Sequence, residues 1–227
     1  FHLIVLAPNS VQEMHDFVAD AFDLAFKYRN PAMILADGAI GQMMEKVVLA
    51  PQRPRKTKEE IAAECKSWAL IGKTDDRERN VITSLELKSE VMEVNNQRLQ
   101  AKYNAIKENE VRYEAIQCDD ADYVIVAFGS SSRICSATVE MARAEGIKLG
   151  LLRPITLYPF PTKAIQELAE RGVKGFLSAE LNAGQMVEDV RLAVNGKAVV
   201  EHYGRMGGML FSPDEVLNAV KEKLINR

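Results

Sequence analysis

Few side chains in this sequence are placed to do chemistry. Glu180 closes the apolar run KGFLSAEL (174–181), and Asn182 and Gln185 follow it closely. Ligands of open α/β sheets gather beyond the strand ends, so a carboxylate there is a candidate acid/base group. A lone carboxylate at a strand end is more often a hydrogen-bonding or ion-pairing group than a catalyst. Asn182 and Gln185 carry no reactive group and read as bridges to backbone or to a partner. Earlier in the chain, LLRPITLYPFP (151–161) ends another apolar run in a stiff corner, Arg153-Pro154 and then Pro159-Phe160-Pro161. Arg153, Phe160, Glu180, Asn182 and Gln185 are therefore read as one docking surface at strand C-terminal ends.

A second candidate is FGSSSR (128–133), which joins a strand to a helix. Free N–H groups at a helix start attract anions, and three serines add donors. It holds a single glycine, however, and lacks GxGxxG, and the next strand ends in Arg153-Pro154 where a ribose-binding acid would stand. The favoured reading is a tight strand–helix turn, which could pack on a neighbouring subunit. His2, His15 and His202 show no ligand spacing. Cys65, Cys118 and Cys135 show no CxxC, which argues against a disulfide framework or iron–sulfur ligation in this chain. No catalytic, cofactor-binding or metal-binding residue is assigned. YGRMGGML (203–210) reads either as a flexible loop or as an adaptable methionine-bearing contact surface.

These groups must be carried by alternating elements. HLIVLA (2–7) reads as a strand and Ser10, with Glu13 three residues on, as a capping box. A helix then carries Phe17, Ala21, Leu24 and Ala25 on one face, and AMILAD (32–37) is a second strand, closed by Asp37-Gly38. Residues 1–50 thus form one βαβ unit, expected to be the incomplete C-terminal part of a larger domain. Residues 51–117 read as a linker, PQRPRKTKEE leading into a short helix near Glu59 to Cys65, then one long helix over 86–115. Over 118–227 four strands alternate with four helices. That pattern predicts an open, mostly parallel sheet covered on both faces.

Composition sets the class. The chain has 227 residues, 47% hydrophobic and 27% charged, with a net charge of −3. This is the profile of a globular protein with no nucleic acid or membrane partner, and the cytoplasm is the expected compartment.

Several segments together resemble a known family. APNSVQEM, AFDLAFKYRNPAMILADGAIGQM, LLRPITLYPFP, AELNAGQMVEDVRLAV and YGRMGG are similar, in order and spacing, to the α-type subunit of thiamine diphosphate-dependent 2-oxoacid:ferredoxin oxidoreductases. KSWALIGKTDDRERNVITSL and YGRMGG most resemble the branched-chain branch, which acts on 2-ketoisovalerate (3-methyl-2-oxobutanoate). The resemblance implies that 1–50 belongs to a pyrimidine-binding domain and 118–227 to a domain similar to the C-terminal domain of transketolase. It implies oxidative decarboxylation of a 2-oxoacid with coenzyme A to acyl-CoA, carbon dioxide and reduced ferredoxin. The implied cofactors are thiamine diphosphate, Mg2+ and iron–sulfur clusters of the full complex, with none expected on this chain alone. The implied partners are a β-type thiamine-binding subunit, iron–sulfur and γ-type subunits, and ferredoxin, in an oligomer. The family's activating glutamate, its substrate-facing threonine or serine and its arginine match no position here, so the chain is expected to be inactive alone. Two alternatives stay open: a stand-alone α/β module binding an anionic small molecule at FGSSSR, and a β-type subunit of a 2-oxoacid dehydrogenase complex.

Overall fold

The apolar run at the start, with β-branched Ile4 and Val5, forms β1 (Ile4–Leu6), which pairs in parallel with β2 (Ala32–Ile34). Between them α1 (Val11–Tyr28) buries Phe17 and Leu24 against Ile4 and Leu6. The computed structural model describes every residue except Phe1, Arg53, Ile71, Thr74, Arg77, Glu78 and Arg227. Ser10 caps α1 by accepting from Glu13 N–H at 3.2 Å. The return arm of the expected capping box goes one residue further back, to Asn9 N–H at 2.9 Å. The small sheet gains a third strand that the sequence did not announce: β6 (Thr156–Tyr158) lies antiparallel to β1, giving the order β2-β1-β6. β6 runs straight into the cis bond Tyr158-Pro159.

The larger sheet has the order β3-β5-β4-β7-β8. Its strands are β3 (Tyr113–Ile116), β4 (Tyr123–Val126), β5 (Leu149–Pro154), β7 (Gly175–Glu180) and β8 (Val199–Gly204). The last four are mutually parallel, as the alternation predicts, and β3 is an antiparallel edge. Side chains alternate between faces. Ile125, Leu149, Leu151 and Leu177 therefore pack with α5 (Gly129–Ala144) and α8 (Pro213–Val220). Val124, Val126, Leu152 and Phe176 pack with α6 (Thr162–Glu170) and α7 (Met186–Val194) on the other face. Ser212 caps α8 in a complete capping box with Glu215. A π-helical turn, Lys221–Ile225, extends α8.

The helix expected over 86–115 is shorter. α4 (Ser89–Asn109) stops, and Tyr113–Ile116 becomes β3. The switch is set by pairing with distant chain: Arg112 N–H donates to Thr156 Oγ1 at 2.9 Å, and Arg112 O accepts from Ile155 and Thr156 N–H. Tertiary hydrogen bonds of this kind override helical propensity. The short helices are α2 (Gly38–Gln42) and α3 (Lys58–Cys65), the latter with a capping box from Thr57 and Glu60. Residues Leu49–Lys102 form one compact unit; Phe1–Val48 and Tyr103–Arg227 form the other.

Candidate functional site

Glu180 is the last residue of β7 and only 1% exposed. It lies on the same strand face as Phe176 and Ser178, the face that α7 covers, so its carboxylate reaches the start of α7. There it accepts from the N–H groups of Gln185 (3.0 Å), Met186 (2.9 Å) and Val187 (2.9 Å), and from the Ser178 hydroxyl (2.8 Å). The Gln185 side chain gives α7 no cap, so Glu180 is the cap. Burial would raise the acid's pKa, but the bonds from Gln185, Met186, Ser178 and Val187 outweigh it and hold the carboxylate below its ordinary value. A general acid near neutral pH needs the opposite shift. His202 Nε2 stands 4.0 Å from Glu180, and burial pushes the imidazole pKa down despite the nearby carboxylate. Its Nε2 is buried and has no hydrogen-bond partner among the described residues.

Arg153, on β5, is 2% exposed. Its guanidinium pairs with Glu13 of α1 and, at 2.9 Å, with Glu114 of β3. It also reaches the carbonyl of Ala7 at 3.5 Å. The charge expected to face a partner therefore joins α1 to the edge of the large sheet.

The FGSSSR turn shows the same principle. Phe128 is the N-cap of α5 and supplies no side-chain bond, while Gly129 takes φ +57°. The anion that such a turn attracts is the chain's own Asp37. Its carboxylate accepts from Ser130 N–H (3.0 Å) and the Ser130 hydroxyl (2.8 Å). It also accepts from Ala39 and Ile40 N–H (both 3.0 Å), capping α2. Burial would raise the Asp37 pKa, yet bonds from Ile40, Ser130 and Ala39 lower it on balance. Sequence reading took Asp37 only as the end of a strand. The available signal was an Asp ahead of a helix start, a cap pattern. The anion position of this turn is thus filled from within, in keeping with the tight-turn reading.

The remaining expected residues lie nearer the surface. Asn182 is half-buried and its Oδ1 accepts from Gly184 N–H at 2.7 Å. It lines a small cleft of about 180 Å³ with Leu35, Asp37, Phe128, Gly129 and Ser131, where strand ends of both sheets meet. Gln185 is exposed. Phe160 is half-buried and lines a cavity of about 800 Å³ with Tyr113, Tyr158, Pro159 and Pro161, which Asp189 of α7 also borders. The structure thus brings Glu180, Asn182 and Gln185 together around one loop and sets Arg153 and Phe160 apart from them. Among the described residues, no three His, Cys, Asp or Glu side chains converge to hold a metal. No described helix is long and apolar enough to cross a membrane. In the loop after β8, Met206, Met209 and Leu210 are exposed.

Comparison with known families decides the wider context. Residues 1–114 match the family described as pyruvate flavodoxin/ferredoxin oxidoreductase, thiamine diphosphate-binding. The chain belongs to this family. Residues 121–216 of this oxidoreductase-family chain also match pyruvate:ferredoxin oxidoreductase core domain II. Among its relatives is the ketoisovalerate oxidoreductase subunit VorB of Methanothermobacter marburgensis, 48% identical over 219 residues, covering 96% of this chain and 60% of that protein. The 2-oxoglutarate synthase subunit KorA of the same organism is 33% identical over 239 residues, covering 97% and 64%. The chain therefore spans less than two thirds of these curated relatives. A solved 2-oxoglutarate:ferredoxin oxidoreductase from Magnetococcus marinus, with 2-oxoglutarate, coenzyme A and succinyl-CoA bound, shares the fold. Its TM-score is 0.73 at 21% identity, over 96% of this chain and 42% of that one.

Proposed function

We propose that this chain is part of the α-type subunit of a cytoplasmic 2-oxoacid:ferredoxin oxidoreductase acting on a branched-chain 2-oxoacid such as ketoisovalerate. The complex would convert the acid with coenzyme A to acyl-CoA and carbon dioxide, passing electrons to ferredoxin. The observation that carries this reading is the gap between 48% identity to a ketoisovalerate relative and 33% to a 2-oxoglutarate relative over nearly the same span. The described residues do not fit a thiamine diphosphate site by themselves: the starts of α5 and α7, which would suit a diphosphate, are filled by Asp37 and Glu180. The decarboxylation chemistry belongs to the cofactor. Mg2+ and iron–sulfur clusters are assigned to companion chains, and the described residues here supply the frame.

Docking falls to the groups left at the surface, Phe160, Asn182 and Gln185, with the exposed Met206 and Met209 of the loop after β8 as a further candidate contact. The partners proposed are a β-type thiamine-binding subunit and iron–sulfur and γ-type subunits. The test is co-expression of the full subunit with its companions, followed by coenzyme A-dependent dye reduction. A higher kcat/KM for 3-methyl-2-oxobutanoate than for 2-oxoglutarate or pyruvate is expected. Preference for either of the others would reject the branched-chain assignment. No turnover by an intact complex with any 2-oxoacid would reject the activity.

A further inference from the structure

Where the 1–114 and 121–216 family segments pack together, one carboxylate serves a helix start in each. Asp37 lies far from Ser130 in sequence, yet a single side chain caps α2 on one side and α5 on the other. The receiving turn is shaped around it: a Cβ on Gly129 would stand 3.2 Å from Asp37 Oδ2, in a backbone region with positive φ. Polar contacts continue the seam. Arg133, one turn into α5, donates to Asn9 O at 3.1 Å and pairs with Glu45 at 2.8 Å, and Glu45 accepts from Val11 N–H at 3.0 Å. The segment after α2 is pinned again where Gln12 donates to Val48 O and accepts from Val48 N–H. Apart from Ile40, which is buried, this strap is held by side-chain bonds, and Met44 points outward at 97% exposure.

We propose that Asp37 is a positioning residue: a built-in anion that registers α2 and the strap behind it against domain II. Both helix starts need a negative group at one point, and Asp37 supplies it to both. Loss of the carboxylate uncouples the two starts together, not one alone. The kinetic part of this inference rests on the oxidoreductase reading; the coupling part does not.

The test uses the full subunit assembled with its companions, as wild type, Asp37→Ala and Ser130→Ala. Amide hydrogen exchange is followed at residues 39–43 and 130–133, with and without added formate as a stand-in carboxylate. In Asp37→Ala, exchange at both segments is expected to quicken about 10-fold, the scale of a lost cap. Formate should restore most of the protection at both. The 2-oxoacid turnover number should fall about 10-fold with KM nearly unchanged, and formate should restore it. Ser130→Ala keeps the backbone bond to Asp37 and should show a smaller change of the same kind. Quickening confined to residues 39–43, or no recovery with formate, would overturn the coupling. Coupled exchange with an unchanged turnover number would overturn the positioning role. If the wild-type complex turns over no 2-oxoacid, the oxidoreductase reading and the kinetic part fail together, and the exchange and formate arms still decide whether one carboxylate couples the two starts.

Discussion

Replacing Glu180 with alanine should cost stability first and any activity only through stability. The substitution strands the three N–H groups at the start of α7 and the Ser178 hydroxyl. Each stranded buried donor costs roughly 1–3 kcal/mol, but fraying and water entry recover part, so about 3–5 kcal/mol is expected in total. For a domain of this size that lowers the melting temperature by about 10 °C. Glu180→Gln keeps one oxygen but turns an NH2 toward N–H donors, and should lose about half as much. The pH dependence has a definite sign. The folded pKa lies below the ordinary 4.5, so the charged group's contribution is complete above the unfolded pKa. It is lost as pH falls through the folded value. The melting difference between wild type and Glu180→Gln should therefore be flat from neutral pH down to about 5 and narrow below about 4.5. Circular dichroism melts across pH check this. A melting temperature within about 2 °C of wild type for Glu180→Ala, or a difference that widens in acid, would refute the cap.

Two other substitutions probe the same architecture. Arg153→Met leaves Glu13 and the Ala7 carbonyl without their buried partner and should destabilise by about 3 kcal/mol; companion binding measured below the melting range should stay unchanged, and weaker binding would restore Arg153 as a contact residue. Gly204→Ala places a Cβ 2.2 Å from the Asn182 carbonyl and 2.8 Å from His202 Nε2; a loss of about 2–3 kcal/mol is expected in denaturant melts, together with faster amide exchange in the 181–185 loop.

The sequence reveals what depends on neighbours along the chain. Apolar runs in regular alternation with helical stretches located β4, β5, β7 and β8, and Ser212 before Pro213 marks the start of α8. It reveals far less of what depends on distant partners. Glu13 read as a capping residue, but its carboxylate also meets Arg153, 140 residues away. Asp37 read as a strand end, and its role appears only when Ser130 is brought to it. The expected docking set came from strand-end positions, which fix where a side chain starts and not which way it points. Parity does carry that information for Glu180: even-numbered residues of β7 face α7, so a carboxylate there lies beneath the first turn of that helix. β3 and β6 stayed hidden because three or four residues with no apolar alternation form strands only against a ready partner.

The edge strand β3 decides how this protein can be cut. The two family segments end and begin at residues 114 and 121, a boundary that falls across Tyr113–Ile116. Those four residues shield one side of β5, which is buried at every position. A fragment starting after Ile116 would keep four strands but present bare β5 as a sticky border, open to pairing with other copies. One starting before Tyr113 carries its own shield. Separability of the second module, in a gene split or at the bench, thus hinges on a short strand that the first family boundary cuts in two.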